Sequence, residues 1–152
     1  MNIYDRLKEL GIELNPASAP VGEFEPVKQV GNLLYVSGQG SYNGQEWIKG
    51  KAGSEVSLED AQRGARYCAL NTLSALQDYL GDLNRIKQAV KILGFVNCTT
   101  DFNEEPKVLN GASQTFIEIF GEAGKHARSA IGSNNLPMNI VCEVESIFEI
   151  YE

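Results

Sequence analysis

The spacing of apolar residues predicts three helices. Residues 57–81 place apolar side chains at intervals of three and four, as expected for a helix with one buried face. Ser57 is a suitable N-cap and Gly81 a suitable C-terminal stop for this helix. A second helix is predicted from Pro106 to about residue 120, because proline favours the first helical turn. A shorter amphipathic helix is predicted over residues 3–10.

Period-two patterns predict the strands between these helices. Residues 27–39 form a hairpin pattern that turns at Gly31, and residues 86–98 and 140–150 form two longer strands. The glycine-rich stretch around Trp47 could add a short strand. Together these elements predict an α+β domain with a mixed sheet of about six strands and two helices on one face. We expect one domain over residues 1–152, with 1–19 as an N-terminal extension.

The two faces of the last predicted strand differ in composition. One parity is apolar and is the expected helix-covered core: Ile140, Cys142, Val144, Ser146, Phe148 and Ile150. The other mixes acids with branched apolar residues: Val141, Glu143, Glu145, Ile147 and Glu149. No remaining element can cover this second face, so a second copy of the protein is the expected cover.

The strand at 86–98 is expected to alternate in the same way. Its predicted core parity contains Ile86, Val90, Ile92 and Val96, and its other parity contains Lys87, Ala89, Lys91, Leu93 and Phe95. The lysines could form cross-strand ion pairs with Glu145 and Glu149. The interval between Arg128 and the last strand is predicted to be loop-like.

Composition and charge argue against several classes of function. The net charge is −7, which argues against a nucleic-acid partner because such proteins need a basic face. The apolar runs are too short to span a membrane, and the N-terminal residues carry acids and bases with no apolar core of a secretory signal. The three cysteines are widely spaced and favour buried reduced thiols over disulfides or a zinc site. A cytoplasmic location is expected.

Arg128 and Glu143 are the residues most suited to chemistry. A guanidinium group can bind a carboxylate through two parallel hydrogen bonds, and a nearby glutamate can activate water. The alternative is a structural salt bridge at Arg128. His126 is the single histidine, and the sequence favours a positive ring near the end of a helix over a catalytic role.

Several motifs together resemble one known family. The segments are "VGNLLYVSGQ", "EDAQRGARYCALNTLSAL", "ARSAIGSNNLP" and "CEVES". Over residues 20–150 the chain resembles the YjgF-like or Rid (reactive intermediate deaminase) family. The most specific elements are the "GN…SGQ" pattern and an arginine followed fifteen residues later by the glutamate of the terminal strand.

The resemblance implies a fold, an assembly and a reaction. Members have a chorismate-mutase-like fold and form homotrimers with sites in the clefts between subunits. The best-known members hydrolyse 2-imino acids, or their enamine tautomers, to 2-keto acids and ammonia without a metal or organic cofactor. Arg128 matches the arginine that binds the substrate carboxylate, Glu143 the glutamate that positions water, and Gly38 a backbone position lining the cleft.

Three positions depart from the family pattern. Phe24 stands where active deaminases carry a tyrosine, and Ala130 replaces a cysteine two places after the arginine. Ser113 falls nearest the usual helix asparagine, with Asn110 one turn earlier. Two alternatives stay open. The departures at Phe24 and Ala130 favour a binding protein for keto acids or similar small carboxylates without turnover. More distantly, the resemblance allows an endoribonuclease or translation inhibitor, a role reported for some relatives.

Overall fold

A computed structural model describes residues 2–152. The fold is α+β, with a five-stranded sheet in the order β1-β2-β5-β3-β4 in which the β3–β4 pair is parallel and the other pairs are antiparallel. The elements are α1 (Ile3–Glu9), β1 (Val27–Val30), β2 (Leu33–Gly40), α2 (Leu58–Leu80), β3 (Ile86–Asn97), α3 (Glu105–Phe120), β4 (Ala127–Ser133) and β5 (Cys142–Ile150). The predicted fold class is confirmed, with five strands in place of about six, and with the short predicted helix α1 in addition to two helices on one face of the sheet.

The helix boundaries follow the predicted capping signals. The hydroxyl of Ser57 accepts a hydrogen bond from the backbone N–H of Asp60 at 3.1 Å, which satisfies one free donor at the start of α2. Gly81 ends α2 with φ 77°, a left-handed conformation that glycine adopts without steric cost. Pro106 lies in the first turn of α3, as predicted.

Two predictions about the strands were wrong. The interval after Arg128 is not a loop, because residues 127–133 form β4 and pair in parallel with β3. The segment around Trp47 adds no strand to the sheet. Trp47 instead forms an isolated bridge with Tyr42, with their rings 5.0 Å apart.

The expected alternation of β3 also failed at one point. Ala89 is buried and Val90 is half-buried, the reverse of the prediction. The pairing of β3 with β5 shifts register between Ile86 and Gln88 and again between Ala89 and Lys91. Each irregularity inserts a residue into the strand, so the side chains beyond it change face.

Helices α2 and α3 cover one face of the sheet and pack closely on each other. A Cβ atom at Gly94 of β3 would lie 2.1 Å from Leu109 Cδ1 of α3. A Cβ atom at Gly111 of α3 would lie 2.1 Å from the backbone oxygen of Gln62 in α2. These glycines allow α3 to sit directly against both β3 and α2, which fixes the position of the helix.

The core lies between the sheet and these two helices. On β5 the predicted core parity is confirmed from Cys142 to Ile150, because its residues are all buried. The cysteines are free and buried, as predicted. Helix α1 packs Ile3 and Leu7 against the same core.

The opposite side of the sheet, here called the open face, carries no helix formed by residues 2–152. Its side chains on the central and edge strands include Tyr35, Lys91, Leu93, Phe95, Ser129, Ile131, Glu143, Glu145 and Ile147. Tyr35 and Ile131 are exposed, at 44% and 49% of their full areas. Of the ion pairs expected on this face, Lys87 with Glu149 forms, at 4.0 Å. Glu143, Glu145 and Ile147 share this face as predicted. The prediction for Val141 was wrong, because it precedes β5 and is fully buried, with its Cγ1 2.6 Å from where a Cβ atom on Gly64 of α2 would lie.

Candidate functional site

Arg128 lies on edge strand β4, on the helix-covered face of the sheet. It pairs with Ile92, which is fully buried beneath the helices. Its Nη1 group donates to Asn110 Oδ1 at 2.8 Å and to Ser113 Oγ at 3.1 Å, and both acceptors lie on α3. Asn110 and Ser113 are one helical turn apart, so they face the same way and hold one end of the guanidinium group.

His126 completes this arrangement from the residues just before β4. Its Nδ1 lies 2.7 Å from the carbonyl oxygen of Gly124, and its Nε2 lies 2.9 Å from Ser113 Oγ. Burial lowers the pKa of His126, and the charge of Arg128 lowers it further, while the bond to Gly124 acts in the opposite direction. The lowered pKa favours a neutral ring near pH 7, in place of the positive ring that was predicted at a helix end.

We refer to Asn110, Ser113, His126 and Arg128 as the guanidinium clamp. Arg128 is half-buried, yet it takes part in none of the ion pairs formed within residues 2–152. Its Nη2 and Nε groups also have no acceptor among those residues. The structural salt bridge considered above is thus not formed, and the guanidinium group retains donors for an external anion.

Glu143 and Gly38 form a second cluster, here called the carboxylate cradle. A Cβ atom on Gly38 would lie 2.5 Å from Glu143 Oε2, so the absence of a side chain at Gly38 makes room for the carboxyl group. Burial raises the pKa of Glu143, and the nearby charge of Glu145 raises it further. A carboxyl group with a raised pKa exchanges a proton more readily near neutral pH.

The clamp and the cradle lie on opposite faces of the same sheet. Arg128 shares its row with Ile92 and Ser146, which face the helices. Glu143 shares its row with Phe95 and Ile131 on the open face. Because paired residues on neighbouring strands point to the same side, the two groups of one protomer project in opposite directions.

The remaining predicted site residues are divided between these two regions. Ser113 is only 9% exposed and contacts the guanidinium group, and Ala130 lies two residues after Arg128, packed against the core. Phe24 is 49% exposed and follows the turn at Gly22. The carbonyl of neighbouring Glu25 accepts a hydrogen bond from Ser37 at 2.7 Å, which holds the Phe24 segment beside the strand that contains Gly38.

Comparison with protein families gives a match over nearly the whole chain. A family model described as YjgF/chorismate mutase-like, putative endoribonuclease, matches residues 4–150. The chain belongs to the YjgF-like family. The resemblance inferred from the sequence motifs is confirmed.

Individual family members show the same relationship. Protein TCP17 of Trypanosoma cruzi is 39% identical over 146 residues, which cover 95% of this chain and 91% of that protein. A 2-iminobutanoate/2-iminopropanoate deaminase of Dermatophagoides farinae is 29% identical, covering 88% of this chain and 91% of that one. The crystal structure of a putative endoribonuclease from Shewanella oneidensis MR-1 is 34% identical, with a TM-score of 0.94 over 99% of this chain and 100% of that chain.

Within residues 2–152, no three His, Cys, Asp or Glu side chains are grouped so that they could hold a metal ion, and no helix has the length and apolar character needed to cross a bilayer.

The sequence analysis missed the contact of His126 with Ser113. A signal for it was present, because His126 and Arg128 are two residues apart and side chains in extended chain alternate.

Proposed function

We propose that this protein hydrolyses small 2-imino carboxylates, or their enamine tautomers, to 2-keto acids and ammonia. The observation that carries the proposal is the guanidinium clamp. A half-buried Arg128 is held by an amide and a hydroxyl instead of a carboxylate. A guanidinium group in that state is suited to a planar carboxylate ligand. The resemblance of the chain to an imine deaminase supports the choice of substrate.

Glu143 would accept and donate protons in this reaction. In our proposal, water adds to C2 of the C=N bond while Glu143 accepts a proton from that water. The carboxyl group delivers this proton to nitrogen, which gives a carbinolamine. It then transfers the hydroxyl proton of the carbinolamine to nitrogen, and the C–N bond breaks as the C=O bond forms, which releases ammonia. One imine and one water molecule thus give one keto acid and one ammonia, with no change in oxidation state. The raised pKa of Glu143 suits it to both transfers.

A composite site between copies would bring the two groups together. Arg128 and Glu143 of one protomer lie on opposite faces of the sheet. The open face also presents apolar side chains, such as Tyr35 and Ile131, that a second copy would cover. We therefore propose that the clamp of one protomer meets the cradle of its neighbour, in the homotrimer that the family resemblance implies.

The activity is tested by following 2-iminopropanoate made in the assay by an amino-acid oxidase. Wild-type protein is expected to accelerate its decay, and Arg128→Ala to lower kcat/KM by roughly a hundredfold, because the substrate loses its anchor. Arg63→Ala is a matched control, since Arg63 is exposed on α2 and its ion pair is with Asp60, at 3.4 Å. Equal acceleration by Arg128→Ala would contradict the proposal.

Mixing inactive variants tests whether the site is shared. Arg128→Ala and Glu143→Gln are each expected to be inactive alone. If each site takes Arg128 from one copy and Glu143 from another, random mixed trimers should regain about a quarter of the wild-type sites. Sites built within single protomers would regain none. Sedimentation of the wild-type protein provides the accompanying measurement of assembly.

A binding protein without turnover is the second candidate, and Phe24 favours it. This side chain has no hydroxyl where the active deaminases of the family pattern have one. Pyruvate would then raise the melting temperature of the protein while 2-iminopropanoate decays at its uncatalysed rate. An endoribonuclease activity is less compatible with a net charge of −7. RNA cleavage by the wild type that is lost in Arg128→Ala would favour that activity.

A further inference from the structure

We propose that His126 is a positioning residue, which acts through Ser113 to hold Arg128 ready for side-on binding of a carboxylate at Nε and Nη2. The inference rests on the proposed function, because it concerns how the same anchor recognises its ligand. It goes further by assigning a role to His126 and a direction of approach to the ligand. It depends on which atoms of the guanidinium clamp donate hydrogen bonds and which accept them.

The ring of His126 makes two hydrogen bonds. Nδ1 of His126 lies 2.7 Å from the carbonyl oxygen of Gly124, and a carbonyl can only accept a hydrogen bond. Nδ1 therefore carries the hydrogen of the neutral ring. Nε2 is left with a lone pair, which faces Ser113 Oγ at 2.9 Å. The hydroxyl must donate to the ring, because only the hydroxyl has a hydrogen to give.

The orientation of the hydroxyl then fixes its role toward arginine. A serine hydroxyl has one hydrogen, and His126 receives it. The oxygen of Ser113 is consequently available to Arg128 only as an acceptor, and it accepts from Nη1 at 3.1 Å. Ser113 is 9% exposed, so bulk water has little access to reorient the hydroxyl. His126 thereby keeps the serine lone pairs directed at the guanidinium group.

The second acceptor saturates one end of the guanidinium group. Asn110 Oδ1 accepts from the same Nη1 at 2.8 Å. Nη1 has two hydrogens, and its two acceptors use both. The hydrogens that remain are those of Nη2 and Nε, which together form the side edge of the planar group. A carboxylate that binds through two parallel hydrogen bonds must use this edge.

The surroundings hold the clamp in place. Helix α3, which carries Asn110 and Ser113, packs closely against α2 at Gly111 and against β3 at Gly94. The ring of Phe116 packs edge-on to the His126 ring, with centroids 6.0 Å apart and planes at 86°. The ring of His126 is therefore restrained by packing as well as by its two hydrogen bonds.

A catalytic serine–histidine pair would contain the same two side chains, but the contacts differ from those of a nucleophile. The Ser113 hydroxyl is buried and its oxygen already accepts from a cation, which reduces its ability to attack a substrate. The other ring nitrogen contacts a backbone carbonyl and no carboxylate. The geometry therefore favours positioning over covalent chemistry.

The tautomer of His126 gives a test that needs no ligand. Nitrogen-15 NMR at neutral pH should show a protonated Nδ1 and an unprotonated Nε2 in the wild-type protein. A hydrogen on Nε2 would overturn the clamp, because Ser113 could then no longer donate to the ring.

Substitutions at His126 give the second test, with pyruvate as the probe and calorimetry as the measurement. His126→Phe keeps a ring beside Phe116 but removes the acceptor, and we expect pyruvate to bind roughly tenfold more weakly. His126→Gln can place its amide oxygen near the former Nε2, and it should stay within about twofold of wild type. In a Ser113→Ala background the His126→Phe change should have no further effect, since the connection is already lost.

The outcomes separate this inference from the proposed function. If Arg128→Ala abolishes pyruvate binding while His126→Phe and Ser113→Ala bind as tightly as wild type, the positioning role is overturned and the anchor stands. If Arg128→Ala itself binds pyruvate normally, the anchor and the proposed function both fail. Circular dichroism of each variant checks that the fold is intact.

Discussion

The two faces of the sheet hold their ionisable groups by different means. On the helix-covered face, Arg128 is fixed by two hydrogen bonds that it donates to α3. On the open face, the carboxyl group of Glu143 occupies the space left by the missing side chain of Gly38. It is half-buried and lies near the like charge of Glu145. Arg128 is oriented by hydrogen-bond partners within one chain, whereas Glu143 lies on a face that the same chain leaves uncovered.

The difference shows which half of the site a single protomer can prepare. Hydrogen bonds to a rigid helix orient the guanidinium group before any ligand arrives, so little conformational entropy is lost when it binds. The environment of Glu143 depends on what covers the open face. We therefore expect changes on the first face to act through structure and ligand binding, and changes on the second to act through proton transfer and assembly.

The largest effect is expected from Gly111→Ala. The new Cβ would lie 2.1 Å from the backbone oxygen of Gln62, so α2 and α3 must separate. We expect the free energy of unfolding to fall by about 3 kcal/mol or more. Urea denaturation measures this loss. Gln114→Ala is the control, because this exposed position on the same helix should change stability by under about 0.5 kcal/mol.

Gly38→Ala makes the same chemical change on the other face. Its Cβ would meet the end of a flexible glutamate side chain instead of backbone, so the carboxyl group can move aside. We expect stability to change by less than about 1 kcal/mol. Turnover of 2-iminopropanoate should fall about tenfold or more, because Glu143 is displaced. A loss of stability as large as that of Gly111→Ala would show that Gly38 serves packing.

A smaller effect is expected from Glu145→Gln. Burial is the main cause of the raised pKa of Glu143 and the charge of Glu145 is the second, so the substitution should lower that pKa toward the ordinary 4.5 without reaching it. Carbon-13 NMR titration of the Glu143 carboxyl group measures the change. Glu149→Gln is the control, because Glu149 pairs with Lys87 and does not contribute to the shift. Equal titration of Glu143 in the two variants would contradict the prediction.

The raised pKa of Glu143 also makes the free energy of unfolding depend on pH. The pKa of Glu143 is higher in the folded than in the unfolded chain. Its contribution to stability is therefore complete below the unfolded pKa and is lost as the pH rises through the folded value. Glu145→Gln should reduce this loss. If Glu143 must be ionised to accept a proton, the acid limb of the activity profile should also move to lower pH.

The sequence was sufficient to predict elements whose signals are local. Ser57 and Gly81 marked the ends of α2, and the alternation of β5 identified its buried face. Strand β4 was missed because "ARSAIGS" contains small residues with little alternation and no fully buried position. Its strand conformation depends on pairing with β3, and tertiary pairing of this kind overrides weak local preference.

The candidate site was predictable by residue type and not by arrangement. The motifs indicated Arg128 and Glu143 but not that one sheet separates them. That separation depends on which side chains share a row across three strands, and β4, which carries Arg128 into its row, is the strand that the local pattern did not predict. Asn110 and Ser113 were named for the family position. Their shared contact with Arg128 depends on the close packing of α3 against β3.

The crossover from β3 through α3 to β4 bears on how the protein folds. The bonds that join His126, Ser113, Asn110 and Arg128 span 13 to 18 residues. By contrast, the pairing of Gly40 with Glu143 closes most of the polypeptide into a loop. Loop closure is entropically cheaper over short segments. We therefore expect Arg128 to form its hydrogen bonds early in folding, before β5 pairs with β2 and brings Glu143 to the sheet.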